Sequence, residues 1–505
     1  MQFAEKNVSQ NISDNLHNDK IIHIETLGCR LNQIESEGAA GFFSDAGFTV
    51  KMSGITAREK QNENVIIAII NTCTVTAKAE QKARRIIRLL LKKYINALIV
   101  VTGCYAQVNR KEISAIDERV LVLPGLIKSR LTEVPLMIKA LLAEQTQTPF
   151  EIYKSIKAVL ENSILKNEKS GTSENPFLLS TDTFLHHSRA SLKIQDGCNN
   201  RCSYCEICLA RGSSVSLEAE EVLKRVISLK EAGNKEIVLT TVNIAQYRSE
   251  YEGRTLNAAG LLELLLKKTD GVSFRFSSLY PQIIDEYFAE LLKDTRVRPH
   301  FHLSVQSGSD EILEKMNRPY KAEQVLNAVR LLKKVRPDCF TACDIIAGFP
   351  GETDDDFEKT LNLVKECGFT YVHAFPFSPR PGTKAYTMKP KVPESTTQKR
   401  VQKLLDYSVK SKVDYVNSIC NTVRTAIVET SHSKNEALKT VDSHNAGSDT
   451  VFFNAVSDNF LHCKVECTAF KMPEACQEVK IKILKPLEDE IKNNSELEVY
   501  AQLCS

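Results

Sequence analysis

The chain lacks any apolar run approaching the ~18 residues of a membrane-spanning helix, so it reads as a soluble protein. Its first twenty residues are polar and mixed in charge, without the apolar core and small-residue cleavage site of a signal peptide. That argues against export and leaves 1–20 as the flexible leader of a cytoplasmic protein. Excess charge is missing too. The net is only +3 over 505 residues, so a nucleic-acid partner has to be held by a local basic patch and not by a global field. What is present is ordinary globular composition, 42% apolar and 26% charged, over a length that argues for two to four domains. Cysteine stands out. Fifteen of them, an odd number in a chain without an export signal, point to metal binding or free thiols and away from a disulfide framework.

Three of the fifteen fall in Cys198-Asn199-Asn200-Arg201-Cys202-Ser203-Tyr204-Cys205. Intervals of four and three on a tight loop let three thiolates reach one face of a small metal cluster. Four-iron clusters usually take four cysteines, so a loop supplying three leaves one iron open to a small molecule. A structural zinc site is the competing reading. Zinc usually recruits its fourth ligand from a second knuckle, and no matching Cys-x-x-Cys or His pair follows at such spacing. Cys208, three residues after Cys205, reads as a nearby thiol.

Upstream of that loop, strand and helix signals alternate. Apolar runs at 21–27, 65–70, 97–101 and 120–123 predict strands, and 32–46, 77–93 and 131–142 predict helices, so 21–144 reads as a doubly wound α/β domain. Cys29, Cys73 and Cys104 each fall just beyond the carboxyl end of one of the first three strands, the edge where such sheets bind ligands. A second three-cysteine site is expected there; three inert buried thiols are the alternative. The polar stretch 145–183 reads as a linker.

Six further strand candidates, at 192–195, 237–242, 273–278, 301–305, 341–347 and 371–375, alternate with helical periods, which makes 184–418 a partial barrel. The cysteine loop follows the first of these strands. His302 and the Gln306-Ser307 turn lie at the fourth, and Gly348 and Gly351 follow the fifth. After a long helix at 396–417, short β runs with a polar loop at 431–448 predict a small β-barrel in 419–505, where acidic side chains outnumber basic ones.

Four separated blocks carry a family resemblance: Gly28-Cys29-Arg30-Leu31-Asn32, Asn71-Thr72-Cys73-Thr74-Val75-Thr76, Gly103-Cys104-Tyr105-Ala106-Gln107 and the Cys198 loop. Together with His302-Leu303-Ser304-Val305-Gln306-Ser307-Gly308 and Ser378-Pro379-Arg380-Pro381-Gly382-Thr383, they resemble the methylthiotransferases of the radical S-adenosylmethionine superfamily, from 21 to about 384. The resemblance implies two 4Fe–4S clusters: one on Cys198, Cys202 and Cys205 that cleaves S-adenosylmethionine, and an auxiliary one on Cys29, Cys73 and Cys104 that delivers sulfur. It implies cofactor contacts from Tyr204, Gln306, Ser307, Gly348 and Gly351, and a C-terminal TRAM β-barrel that grips RNA. The sequence around Cys29 and the run from Thr74 to Arg85 look most like the branch acting on N6-threonylcarbamoyladenosine beside the tRNA anticodon. The isopentenyladenosine branch, a branch modifying a ribosomal-protein aspartate, and a non-catalytic iron–sulfur RNA-binding paralogue are the alternatives. An electron donor of flavodoxin or ferredoxin type is implied, and the source of replacement sulfur stays open. Lys78, Lys82, Arg84, Arg85, Arg88, Lys92 and Lys93 form a basic helix suited either to phosphates or simply to water. Tyr280 stands where the family commonly has glutamate, and Ser304 where it commonly has proline.

Overall fold

In the computed structural model the residues described are 20–143, 149–170, 174–181, 188–430 and 450–504. Most of the expected leader, the expected polar loop at 431–448 and parts of the expected linker lie outside them. The fold is mixed α/β and divides into two compact units that interleave along the chain. The first runs to residue 181 and takes in 196–199 and 205–215; the second holds 182–195, 200–204 and 216–505.

The first unit is built on a parallel sheet of β1 (Ile21–Thr26), β2 (Thr49–Lys51), β3 (Val65–Thr72), β4 (Leu98–Gly103) and β5 (Val120–Val122), in the order β2-β1-β3-β4-β5. Every residue of β3 and β4 is buried, as expected of central parallel strands covered on both faces. One covering helix, Ala77–Lys93, starts where the Thr76 side chain accepts from the Ala79 amide, and it turns Ala83, Ile86, Ile87 and Leu90 to the sheet. The stretch expected as a linker contains a 22-residue helix, Pro149–Ser170. Its Ile152, Ile156, Leu160 and Ile164, four residues apart, join the core against Ile22, Ile24 and Ile67. Polar residues dominate the helix by count, and that hid the stripe.

In the second unit six strands follow in chain order: β6 (Ala190–Lys193), β7 (Glu236–Thr240), β8 (Ser273–Phe276), β9 (His300–Gln306), β10 (Phe340–Ala347) and β11 (Tyr371–Pro376). They form two three-stranded parallel sheets, linked between Leu279 and Leu303 by a single parallel bridge. Along β9, buried Phe301, Leu303 and Val305 alternate with half-exposed His302, Ser304 and Gln306, so one face packs on helices and the other stays open. Five more strands, β12 (Val423–Val428), β13 (Thr450–Ser457), β14 (His462–Thr468), β15 (Glu478–Pro486) and β16 (Val499–Leu503), close into a barrel in the order β12-β13-β14-β16-β15. The last of these, β16, was not expected from the sequence. This barrel shares its core with Phe340 and Ala342 of β10 and with Val416 and Ile419 at the end of the long helix Glu394–Ser418.

A buried ion cluster ties the barrel to the amino ends of β7 and β8. Glu236 accepts from Arg275 Nε at 2.7 Å and from Arg298 Nε at 2.9 Å, while Arg298 reaches Glu478 at 2.6 Å and Arg275 reaches the Asp458 carbonyl at 3.0 Å. Burial pushes the Glu236 carboxyl up, but the two guanidiniums outweigh it and hold it at about 2. Because the folded value lies below the usual one, the stabilisation is fully present above pH about 4.5 and is lost as pH falls toward 2. Glu236→Gln leaves buried Arg275 without a carboxylate partner and Arg298 with Glu478 alone. It is expected to cost ~3–5 kcal/mol in a urea melt at neutral pH, and the deficit should shrink as the pH is lowered through that window. A deficit independent of pH would show that the loss comes from packing and not from charge.

Candidate metal centres and the cofactor face

In the first unit, β1, β3 and β4 are neighbours, and a cysteine follows the carboxyl end of each. Cys29 is the exposed N-cap of helix Arg30–Asp45, Cys73 directly follows β3, and Cys104 opens the short helix Cys104–Val108. The turns are tight. A Cβ on Gly28 would lie 2.6 Å from Cys73 Cβ, and one on Gly103, whose φ is +92°, would lie 2.4 Å from the Thr72 carbonyl oxygen. Asn32 fastens the first turn to β3: its Nδ2 donates to the carbonyls of Leu27 at 2.9 Å and Thr72 at 3.0 Å. Asn71 Nδ2 donates back to the Asn32 carbonyl at 3.0 Å.

Burial pushes the Cys73 thiol up to about 11, with Cys104 and Cys29 adding to the rise and Arg211 opposing it. Cys104 is likewise raised by burial and opposed by Arg211 and Lys128. The three thiols are thus near enough to disfavour one another's ionisation, and two cations stand ready to offset the charge of three thiolates. Arg211 is the residue sequence reasoning missed. It is buried, and it donates to Asn32 Oδ1 at 2.7 Å, Glu35 Oε1 at 3.0 Å and Asp196 Oδ1 at 3.0 Å, with Lys128 pairing Glu35 at 2.6 Å. Lying six residues past Cys205, it carried no sequence signal for a role beside Cys29.

The 198–205 loop is divided between the units: 196–199 and 205–215 pack with the first, 200–204 with the second. Cys198 and Cys202 are buried and Cys205 is half-buried. Gly197, at φ +68°, leads into Cys198, whose amide donates to the Gly212 carbonyl at 3.1 Å. In the second unit, the Ser203 amide donates to the Met316 carbonyl at 3.0 Å and its hydroxyl to that of Lys315 at 2.7 Å, while Asn317 Nδ2 holds the Arg201 carbonyl at 2.9 Å. Arg318 Nη1 donates to Cys202 Sγ at 3.4 Å. Cys208 is half-buried on the short helix Ile207–Arg211. Among the described residues no three His, Cys, Asp or Glu side chains close on a single ion. An iron–sulfur cluster, whose irons each take a separate thiolate, does not require that closeness, and soft thiolate donors at glycine-lined turns suit it.

The open face of the second unit carries the other expected residues. Gln306 ends β9 half-exposed at φ +72°, a left-handed conformation unfavourable for a residue with a side chain, with the pairing to β10 shifted just before it. Tyr204 sets its ring edge-on to Phe349 at 6.4 Å. Ser307 is buried, and its hydroxyl stands 3.2 Å from Thr360 Oγ1 and accepts from the Ser309 amide at 3.2 Å, so it shapes the turn. Gly348 is also fixed from within the fold. The space its missing Cβ leaves is taken by Thr397, whose Oγ1 would lie 2.1 Å away, and Glu352 holds the turn by accepting from the Gly348 amide at 2.7 Å and from Arg400 at 2.6 Å. Gly351 sits at φ +79°, and Lys315 Nζ donates to its carbonyl at 3.3 Å. Farther down the same face His302 Nε2 lies 3.0 Å from Asp344 Oδ1, beside His373, whose imidazole burial pushes down to about 4.

On helix Ala77–Lys93 the seven basic residues separate. Arg84 binds Tyr105 Oη at 2.8 Å and Lys93 binds the Ala57 carbonyl at 2.9 Å, whereas Lys78, Lys82, Arg85, Arg88 and Lys92 are exposed. Those five repeat along one helical face.

Residues 192–364 match the model of the Radical SAM superfamily, and residues 21–125 match that of the Uncharacterized protein family UPF0004. An α/β unit with three thiols at its ligand-binding edge, followed by a six-strand parallel unit with a cysteine loop, is therefore a radical S-adenosylmethionine enzyme. Over 451 residues the chain is 41% identical to the Threonylcarbamoyladenosine tRNA methylthiotransferase MtaB of Treponema pallidum, covering 80% of this chain and 91% of that protein. It is 33% identical to the MtaB of Bacillus subtilis, covering 92% and 94%, and 32% identical to the tRNA-2-methylthio-N(6)-dimethylallyladenosine synthase of Erythrobacter litoralis, covering 77% and 82%. The chain belongs to the radical S-adenosylmethionine tRNA methylthiotransferase family, and within it to the threonylcarbamoyladenosine branch.

Proposed function

We propose that this chain adds a methylthio group to C2 of N6-threonylcarbamoyladenosine beside the anticodon of tRNA, using S-adenosylmethionine and two 4Fe–4S clusters. The observation that carries the reading is 41% identity to a protein of that name over 91% of its length, in a chain that keeps three thiols at the ends of three adjacent strands. The target is an unactivated aromatic C–H bond that no acid–base pair opens at neutral pH, and the cofactor supplies the radical that can. Cys198, Cys202 and Cys205 are the ligands for the cluster that meets S-adenosylmethionine, with Gln306, Gly351 and Tyr204 lining the cofactor face. Cys29, Cys73 and Cys104 are the ligands for the auxiliary cluster, whose charge Arg211 and Lys128 offset.

In this reading 21–144 is the methylthiotransferase domain and 184–418 the radical domain, a partial barrel of six βα units. Residues 419–505 form the TRAM-like RNA-gripping barrel. The exposed stripe from Lys78 to Lys92 meets tRNA phosphates, and a flavodoxin or ferredoxin in the cytoplasm supplies electrons. No helix among the described residues is long and apolar enough to cross a membrane.

The substrate assignment is tested by giving the anaerobically reconstituted protein two tRNA pools, one carrying threonylcarbamoyladenosine and one isopentenyladenosine, and analysing nucleosides by mass spectrometry. Methylthiolation of the first pool alone is expected. Modification of the second alone would move the chain to the other tRNA branch.

A further inference from the structure

Arg318 is held by more partners than a surface arginine needs. Its guanidinium lies against two aromatic rings, 4.8 Å from the centroid of Tyr280 and 4.9 Å from that of Tyr320. Its Nε donates to Tyr320 Oη at 2.8 Å and its Nη2 to the Ser304 carbonyl at 3.2 Å. Tyr320 is itself buried, and its hydroxyl faces the carbonyls of Ser304 and, at 3.1 Å, Val305. Tyr280, Tyr320 and the Ser304 carbonyl thus fix a planar cation, and its Nη1 donates to Cys202 Sγ at 3.4 Å, with Tyr280 Oη a second acceptor at 3.5 Å. An arginine kept only for the tyrosine contacts would not need a sulfur acceptor. A thiol is a weak acceptor and a thiolate a strong one, so the geometry suits a deprotonated, ligating Cys202.

We propose that Arg318 is a positioning residue for the iron–sulfur cluster at Cys198, Cys202 and Cys205, raising its reduction potential through a charged hydrogen bond to Cys202. The inference rests on the reading of Cys202 as a cluster ligand. Taking up one electron makes the cluster and its thiolates more negative by one charge. A fixed cation and an N–H donor at a ligand sulfur stabilise that added charge, and hydrogen bonds to the sulfurs together with net charge are among the factors that set such potentials. The electron comes from the external reductant the reaction already requires, and Arg318 neither gains nor loses a proton. Tyr280 belongs to the device: its ring faces the cation, and it stands at the position noted above as a departure from the family pattern.

The test is an EPR-monitored redox titration of the reconstituted full-length protein, following the signal that responds to S-adenosylmethionine. Arg318→Gln keeps a donor and removes the charge. It is expected to retain iron while the ratio of reduced to oxidised cluster at a fixed potential falls about tenfold, a shift of about 59 mV to more negative potential for a one-electron couple. Tyr320→Phe, which removes the Nε acceptor but leaves the charge in place, is expected to shift the same way by less. It decides the question if Arg318→Gln fails to load iron. An unchanged midpoint in an iron-loaded Arg318→Gln, or in Tyr320→Phe where that variant decides, would overturn the proposal. If Cys202→Ala keeps the S-adenosylmethionine-responsive signal, the ligand assignment underneath has failed instead.

Discussion

Cys202→Ala is expected to abolish both 5′-deoxyadenosine formation and nucleoside methylthiolation, each by at least ~10³-fold, or ~4 kcal/mol of barrier. The loop offers Cys198, Cys202 and Cys205 within eight residues, and loss of one ligand from three leaves too few to hold a cluster with one open iron. Cys202 is buried and placed against Arg318 at 3.4 Å. Half-buried Cys208, on the helix that follows, is the thiol nearest in sequence that could substitute. Cys208→Ala is therefore the control, and it should leave both activities near the parent's. Residual 5′-deoxyadenosine in Cys202→Ala that disappears in the double variant would make Cys208 a reserve ligand.

Cys73→Ala is expected to separate the two activities. It removes the central member of the other three-thiol set, so cluster iron should fall by about half and methylthiolated nucleoside by at least ~10²-fold, while 5′-deoxyadenosine still forms. Cys73 is central because β3 lies between β1 and β4, with Gly28 packed against it at van der Waals limits. The structural cost should be small, since a Cys-to-Ala change there removes one sulfur from a site whose turns are held by Asn32 and Asn71. Quantifying 5′-deoxyadenosine and nucleosides in one sample checks this. Parallel loss of both products would mean that the two sets of thiols do not divide the work.

Much of this was legible in the sequence because it depends on period and punctuation. The buried strands β1, β3 and β4 and the six strands β6 to β11 announce themselves as apolar runs, and cysteines at their ends are read off directly. Helix Pro149–Ser170 was missed because four isoleucine and leucine positions were outweighed by polar neighbours. The interleaving of 196–199 and 205–215 with the first unit was missed because no local signal records which side of a loop packs where. Arg211 and Arg318 were missed for the same reason: a guanidinium acquires meaning from partners scattered over many elements, here Asn32, Glu35 and Asp196 in one case and Cys202, Ser304 and Tyr320 in the other. Gly348 is required by its φ of +79° and by Thr397 packed against it, causes internal to the fold that a sequence pattern cannot separate from ligand approach. The C-terminal barrel was expected from its short β runs, but nothing in those runs records that its apolar residues continue into β10 and the long helix.

The most direct measurement supplies the iron-loaded protein with reductant, threonylcarbamoyladenosine-containing tRNA and S-adenosylmethionine carrying a deuterated methyl group. Nucleosides and 5′-deoxyadenosine are then read by mass spectrometry from the same tube. The account predicts a threonylcarbamoyladenosine that has gained a methylthio group bearing the deuterium label, formed together with 5′-deoxyadenosine. An unchanged nucleoside with no 5′-deoxyadenosine, from protein carrying its full iron, would contradict it.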